Sequence, residues 1–353
     1  MSVSVFDDPL LSGLLGDEAL ARQFTPEVEI AEFNTFEIAL ARAQAAEGVI
    51  SAPAAEAITA AADNFAPDMV ALRNGVARDG VVVPEYVRQL RQRVGPAHAD
   101  RLHYGVTSQD LIDTALVRRL ASIVVVLDQR IAVVAETLDE LTRRFGSRRI
   151  MARTRMQDAM PTTVADRIVT WRAPLVRHRE RLAQLKPRLL VLQFGGAVGA
   201  RDKFGAEGQA IARRLAAALG LGDAAAWHSQ RDTLAEFAAW LCLVAGSLGK
   251  IGVDVALMAQ NTVGEVTLAD GGGSSAMPHK ANPVRAEVLV ALARYCAALS
   301  SAMFDALVHE QERSGSAWTL EWLTLPQIVI AAGAALNTAN ALLKSVTRMG
   351  GDL

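Results

Sequence analysis

Ala269-Asp-Gly-Gly-Gly-Ser-Ser-Ala-Met-Pro-His-Lys-Ala-Asn-Pro-Val-Arg-Ala-Glu287 lies between two long helical patterns in a chain of 353 residues. Its three glycines open backbone conformations closed to other residues, and two serines, a histidine and a lysine follow at once, so reactive groups ride on a pliable segment. Asn282 is expected to cap the second helix with Pro283 at its first position, turning free N–H groups and the positive helix end toward the loop. Loop, cation and helix end together suggest a lid over an anionic ligand. A Gly-Ser run between helices is also what a plain flexible connector looks like, so the order of residues must decide.

Outward from this loop the chain reads as all-α. Five long helices are expected at about 109–145, 161–193, 229–266, 282–312 and 318–346, rich in alanine and leucine, with Pro174 and Pro187 as kinks or breaks in the second. Residues 1–108 read as a smaller domain of shorter helices punctuated by Pro53, Pro67, Pro84 and Pro96. Within it, Glu27 to Glu47 carries Ile30, Phe33, Phe36, Leu40 and Ala43 at three- and four-residue spacing, and Val81 to Pro84 reads as a loop entering a helix over 85–93. A five-helix bundle over 109–346 and a short tail over 347–353 complete the expected organisation. Helices of 30 residues are about 45 Å long, more than one globular domain needs, so such apolar rods are expected to pack against copies of themselves.

Composition agrees. Apolar residues make up 51% and aromatics only 5%, which favours packed helices over strand-rich sandwiches. With 36 basic and 38 acidic residues the net charge is -2, so no global field draws nucleic acid or an anionic membrane, and an anion must be held by a local site. Cys242 and Cys296 lie in apolar helical runs without metal-ligand spacing and read as buried thiols. The first residues carry acid and no basic stretch, and the longest apolar run, Ile123 to Val134, is broken by Asp128, Gln129 and Arg130, so a soluble cytoplasmic protein is expected.

Three further segments carry polar chemistry. His103-Tyr-Gly-Val-Thr-Ser-Gln-Asp110 puts two hydroxyls, Thr107 and Ser108, before a helix where Gln109 or Asp110 can cap. Ala152-Arg-Thr-Arg-Met-Gln-Asp-Ala-Met-Pro161 groups two arginines ahead of the next helix, and Trp227-His-Ser-Gln-Arg-Asp232 opens the third long one. Each has a plain account in capping, solvation or core packing.

Gly273 to Pro283, eleven ordered positions, resembles the signature loop of the superfamily of fumarase, aspartase, argininosuccinate lyase and adenylosuccinate lyase. Residues 103–110 resemble that superfamily's His-x-Gly-x-Thr-Ser-x-Asp region, and residues 153–159 resemble its Arg-Thr-His-x-Gln-x-Ala region. Glu312-Arg313 through Pro326, with Ala317, Trp318, Glu321 and Trp322, together with Trp227-His228 and the turn Gln193-Phe-Gly-Gly-Ala-Val-Gly199, resembles one branch, the 3-carboxy-cis,cis-muconate cycloisomerases. The likeness spans roughly residues 100 to 330, and the small helical C-terminal domain usual in the superfamily is expected to be missing or vestigial.

The resemblance implies a site without metal or redox cofactor. It implies Ser274 as the proton-transferring serine, Lys280 as the cation that stabilises its anion, and His103 as a group for binding or acid work. It places Thr107, Ser108, Arg153, Thr154, Arg155, Gln157, His228, Ser275, Met277 and Asn282 against substrate. One departure stands out. Where the related lyases carry histidine this chain has Arg155, which stays protonated at ordinary pH and cannot shuttle a proton, so an anion clamp replaces the usual acid. Glu287 occupies the place of the carboxylate that orients that histidine, and an Arg155–Glu287 pair is expected.

A cycloisomerase tolerates the change, because its leaving group is a carboxylate of the substrate itself and a tricarboxylate welcomes another arginine. The resemblance further implies a homotetramer whose active sites draw segments from different subunits. Two alternatives stand beside the cycloisomerase: adenylosuccinate lyase or another fumarate-releasing lyase, and a catalytically silent helical scaffold.

Overall fold

The computed structural model describes residues 4–269, 271–273, 276–277 and 281–351; Ser274, Ser275 and Lys280 lie outside them. Among the described residues the architecture is helical, with two small two-stranded sheets. After two four-residue helical turns, Ser12–Leu15 and Glu18–Ala21, come helices α1 (Pro26–Ala46), α2 (Ala52–Ala62), α3 (Met69–Asp79) and α4 (Val83–Val94). Pro26 and Pro84 sit in the first turns of α1 and α4, where a missing N–H is harmless.

The long elements follow: α5 (Ser108–Phe145), strands β1 (Arg149–Thr154) and β2 (Gln157–Thr163), α6 (Val164–Leu189), the shorter α7 (Gly208–Leu219), α8 (Asp232–Met258), β3 (Val266–Leu268), α9 (Val284–Asp305), α10 (Gly315–Lys344) and β4 (Val346–Met349). Helix α8 packs on α6, α9 and α10, and α5 on α6 and α10, closing the bundle. One core runs along it through Leu120, Leu127, Leu138, Trp171, Leu241, Leu248, Leu289 and Ile328. A second core joins α1, α2 and α4 to the first turns of α5 and to Leu192, Phe194, Phe204 and α7. The second core clamps the start of α5 between two chain segments that are far apart in sequence.

All five long helices form, with shifted ends. The start expected at 161 is instead an antiparallel hairpin, β1–β2, in which Thr154 faces Gln157 across a two-residue loop. Its polar, mostly exposed strands bury only Ile150 fully, so no run of alternating apolar residues announces it. Helix α6 runs unbroken through Pro174 and Pro187. Helix α9 is shorter than the expected 282–312, and its cap is Pro283, not Asn282, because Asn282 uses its backbone N–H and C=O in a two-way bridge with Gly272. Helix α8 stops at Met258, and the chain then pairs β3 with β4.

Among the described residues three helices, α8, α9 and α10, are long and apolar enough to cross a membrane by length and composition, a property the reading of Ile123 to Val134 missed. Cys296 is buried and Cys242 half-buried, both as free thiols; burial pushes the Cys296 thiol up to about 12.

Candidate active site

The start of α5 is built around Asp110. Thr107 is the N-cap residue, and its N–H donates to Asp110 Oδ2 at 3.0 Å, closing a capping box. The same fully buried carboxylate accepts from Gly195 N and Gly196 N at 2.8 Å each and from Gln193 Nε2 at 3.2 Å. His228 Nε2 lies 2.9 Å from Oδ1. Because the carboxylate only accepts, His228 Nε2 is the donor in this contact. Nδ1 faces Gly199, where an added Cβ would stand 3.9 Å away; Gly199 and Ala226 line an open cleft of about 580 Å³ beside the ring. The glycine-rich turn is glycine for a steric reason: a Cβ at Gly195 would meet Ala226 at 2.7 Å and His228 Cε1 at 2.9 Å, and one at Gly196 would meet Gly105 O at 2.8 Å.

One turn along α5, Asp113 anchors a buried ionic cluster. Arg231 bonds it through Nη1 and Nη2 at 2.5 and 3.0 Å, and bonds Glu321 through Nε and Nη2 at 2.8 and 2.5 Å. Trp318 Nε1 donates to Asp113 Oδ1 at 3.1 Å, the Arg231 guanidinium lies over the Trp227 ring, and His309 Nε2 stands 3.8 Å from Glu321. Burial opposes both charges, but Asp113 and Glu321 outweigh it and hold Arg231 more firmly protonated, while Arg231 and His309 hold Glu321 below the usual carboxylate range. The two tryptophan-bearing motifs thus meet at α5, and Asp113, Arg231 and Glu321 are residues that the sequence reading left without roles, while Asp110, read there only as a helix cap, also gathers the Gly195–Gly196 turn and His228. The available signal was the i, i+3 spacing of two acids on an otherwise apolar helix face.

Next to this lies His103, in a left-handed conformation at φ 57°, with Nδ1 2.5 Å from Glu37 Oε1. Thr107, Ser108, His103 and His228 therefore share one end of the bundle.

The other expected residues occupy the opposite end. Helix α5 has 38 residues, which at 1.5 Å each separates its two ends by about 57 Å. Beyond that distance stands the hairpin, whose loop residues Arg155 and Met156 both take positive φ, 50° and 67°. Arg153 is engaged by Glu265 Oε2 at 3.0 Å and by Asp158 at 2.8 Å, and Glu265 also takes Met151 N–H, so Arg153 ties the hairpin to the segment entering β3. Thr154, Arg155 and Gln157 are exposed at the tip. Glu287, in the first turn of α9, is exposed as well and makes no ion pair with Arg155 among the described residues, so the expected pair is not formed within one chain.

The signature loop is pinched at its base by Gly272 N–Asn282 O at 2.8 Å and Asn282 N–Gly272 O at 2.9 Å. Gly271 and Gly272 permit the pinch, since a Cβ would meet Ala281 Cβ or Val284 Cγ2 at 2.4 Å. Met277 is 43% exposed.

A family model described as lyase matches residues 17–296. The chain belongs to this lyase family, of the fumarase and aspartase type. Among curated members, the lyase is 43% identical over 318 residues to the 3-carboxy-cis,cis-muconate cycloisomerase of Pseudomonas aeruginosa, covering 88% of this chain and 69% of that one. Among solved structures it superposes on the 3-carboxy-cis,cis-muconate lactonizing enzyme of Pseudomonas putida with a TM-score of 0.89 and 37% identity, over 96% of this lyase and 77% of that chain. It superposes on a fumarate lyase from Mesorhizobium with a TM-score of 0.88 and 34% identity, over 95% and 76%.

Proposed function

We propose that this lyase is a 3-carboxy-cis,cis-muconate cycloisomerase, interconverting that tricarboxylate and γ-carboxymuconolactone in the protocatechuate branch of the β-ketoadipate pathway. The observation that carries the reading is Arg155. The residue at the hairpin tip, which is a histidine in the related lyases, is a permanent cation presented to solvent on a two-residue turn. A reaction whose leaving group is already an internal carboxylate needs no acid there and gains from an added anion clamp.

In the ring-forming direction one substrate carboxylate oxygen bonds to an alkene carbon, and the π electrons move into a doubly charged aci-carboxylate. The carbon beside it then takes a proton from Ser274. Opening the ring reverses each step. Lys280 and the N-terminal end of α9 stabilise the serine anion and the aci-carboxylate. Thr107 and Ser108 grip a second carboxylate, and Arg155, Thr154 and Gln157 a third. His228, Ser275, Met277 and Asn282 complete the lining.

These segments lie at both ends of a helix about 57 Å long, so a complete site needs more than one copy. A homotetramer with shared sites meets that need. Two features support it: only 28% of the most apolar window of α9 is buried within one chain, and Met156 and Met160 stand exposed on the hairpin. With α8 to α10 in such an assembly, the protein is a soluble cytoplasmic enzyme of aromatic catabolism.

Purified protein is expected to convert 3-carboxy-cis,cis-muconate, seen as loss of diene absorbance. Absence of that loss together with cleavage of adenylosuccinate would overturn the proposal in favour of a fumarate-releasing lyase, the reading the Mesorhizobium structure favours. A silent scaffold predicts that neither substrate reacts and that Ser274→Ala changes nothing.

A further inference from the structure

We propose that Glu37 is a positioning residue for His103, and that this carboxylate–imidazole pair relays the proton that ring closure consumes. The inference rests on the functional reading above and adds a residue 66 positions upstream of the motif it serves.

The geometry is that of a built pair. Glu37 lies on the inner face of α1, 1% exposed, and its Oε1 stands 2.5 Å from His103 Nδ1. Its surroundings are apolar, with the rings of Phe33, Phe36 and Tyr86 in the same core. Burial, and then the charge of Glu37, raise the Tyr86 phenol well above its ordinary value, so the tyrosine is no proton source and donates its O–H to Asn34 Oδ1 at 2.8 Å. Among the described residues His103 is the hydrogen-bond partner of the Glu37 carboxylate. A buried carboxylate is costly unless a donor is aimed at it, so the pair fixes the imidazole with its proton on Nδ1. Nε2 is then the ring nitrogen left for a ligand beside Thr107 and Ser108.

The backbone is held to the same purpose. His103 is one of the few non-glycine residues with positive φ, a conformation that costs free energy and persists only where its surroundings enforce it. Gln44 Nε2 donates to the next carbonyl, Tyr104 O, at 2.8 Å, and Gly105 is pressed on Phe204, where a Cβ would meet the ring at 2.4 Å. Two residues of α1, Glu37 and Gln44, thus grip the loop from one side and Phe204 from the other. The relevant step is a proton exchange: Nε2, unprotonated at rest, takes one proton from solvent water and gives it up again on the substrate side of the ring, so that the imidazole returns to its neutral Nδ1–H form while ring closure, which consumes one proton, is supplied. No bond other than those to hydrogen changes at the pair.

Glu37→Gln keeps size and polarity and tests the proposal through turnover of 3-carboxymuconate. The expected result is a fall in kcat of roughly 100-fold with KM within about threefold, and no further fall when His103→Gln is added. Glu37→Asp is expected to recover part of the loss. A Glu37→Gln protein with kcat within twofold of the parent overturns the pair. If that variant does not fold, the parent labelled with 15N-histidine decides: a neutral His103 protonated on Nδ1 supports the pair, and one protonated on Nε2 overturns it. A parent that fails to convert the substrate rejects the functional reading instead, and the 15N spectrum still tests the pair.

Discussion

Arg231 and Glu321 meet side on across 90 residues of sequence, Nε to Oε1 at 2.8 Å and Nη2 to Oε2 at 2.5 Å, with neither side chain more than 2% exposed. Such two-point contacts fix direction as well as distance, and this one ties the start of α8 to α10 behind the loop that carries Thr107. Removing the cation leaves Asp113 and Glu321 buried with only Trp318 Nε1 and His309 beside them. Arg231→Met is therefore expected to cost about 3–5 kcal/mol in urea unfolding, and Arg231→Met with Glu321→Gln less than the single change. A loss below about 1 kcal/mol for Arg231→Met would mean that the cluster does not hold the two motifs together.

Gly271 and Gly273 are two residues apart and sterically opposite. A methyl group at Gly271 would meet the Ala281 side chain at 2.4 Å, whereas among the described residues nothing lies within 4 Å of one at Gly273. Gly271→Ala is expected to open the base of the loop and reduce kcat/KM by at least tenfold with little change in melting temperature. Gly273→Ala is expected to stay within about threefold of the parent. Equal effects of the two, measured under identical conditions, would count against a loop whose pinch matters.

At the hairpin tip Arg155 and Met156 occupy the two positive-φ positions of a tight turn, where glycine and asparagine are normally found. Met156→Gly is expected to stabilise the fold by about 0.5–1 kcal/mol, by relieving that strain, and to leave turnover largely intact. Arg155→Ala should instead raise KM for the tricarboxylate by tenfold or more at unchanged stability. A KM that stays put would remove Arg155 from the site.

His178 illustrates a charge the fold refuses. Burial, then the nearby Arg181 and Arg177, push its imidazole down to about 4, and it sits between Arg181 Nη1 and Ser247 Oγ as a neutral ring. The folded value lies below the unfolded one of about 6.5. Above pH 6.5 neither state binds the proton and the site costs nothing. As pH falls from 6.5 toward 4 the unfolded chain takes up a proton that the folded chain does not, so stability drops, and below 4 the loss is constant. Replacing His178 by Gln is expected to flatten the stability profile between pH 7 and 4. Parallel profiles for the two proteins would contradict this account.

Much of the fold was legible because its periodicity is long. Helix α5 repeats its apolar face over 38 residues, and α1 was readable from Ile30, Phe33, Phe36 and Leu40. The hairpin was hidden, since its turn lacks the glycine or asparagine that usually marks one, and its strands are nearly all polar. The site was legible as motifs but not as a place. Thr107 and Arg155 each sit in a recognisable segment, yet only the length of α5 shows that one chain holds them apart. Glu37 carried no signal, because a glutamate on a helix reads as solvated until the chain that covers it is known.

The central claim is that a tricarboxylate is held jointly by the Thr107 end of one chain and by the hairpin and signature loop of others. Mixing the Ser108→Ala and Ser274→Ala proteins, dissociating them in urea and letting them reassemble tests it most directly, with loss of 3-carboxymuconate diene absorbance as the readout. Each variant alone is expected to be nearly inactive. The mixture should recover a substantial fraction of parental turnover, because some mixed sites take an intact Ser108 and an intact Ser274 from different copies. Recovery no greater than the sum of the two separate proteins would contradict shared sites and the account built on them.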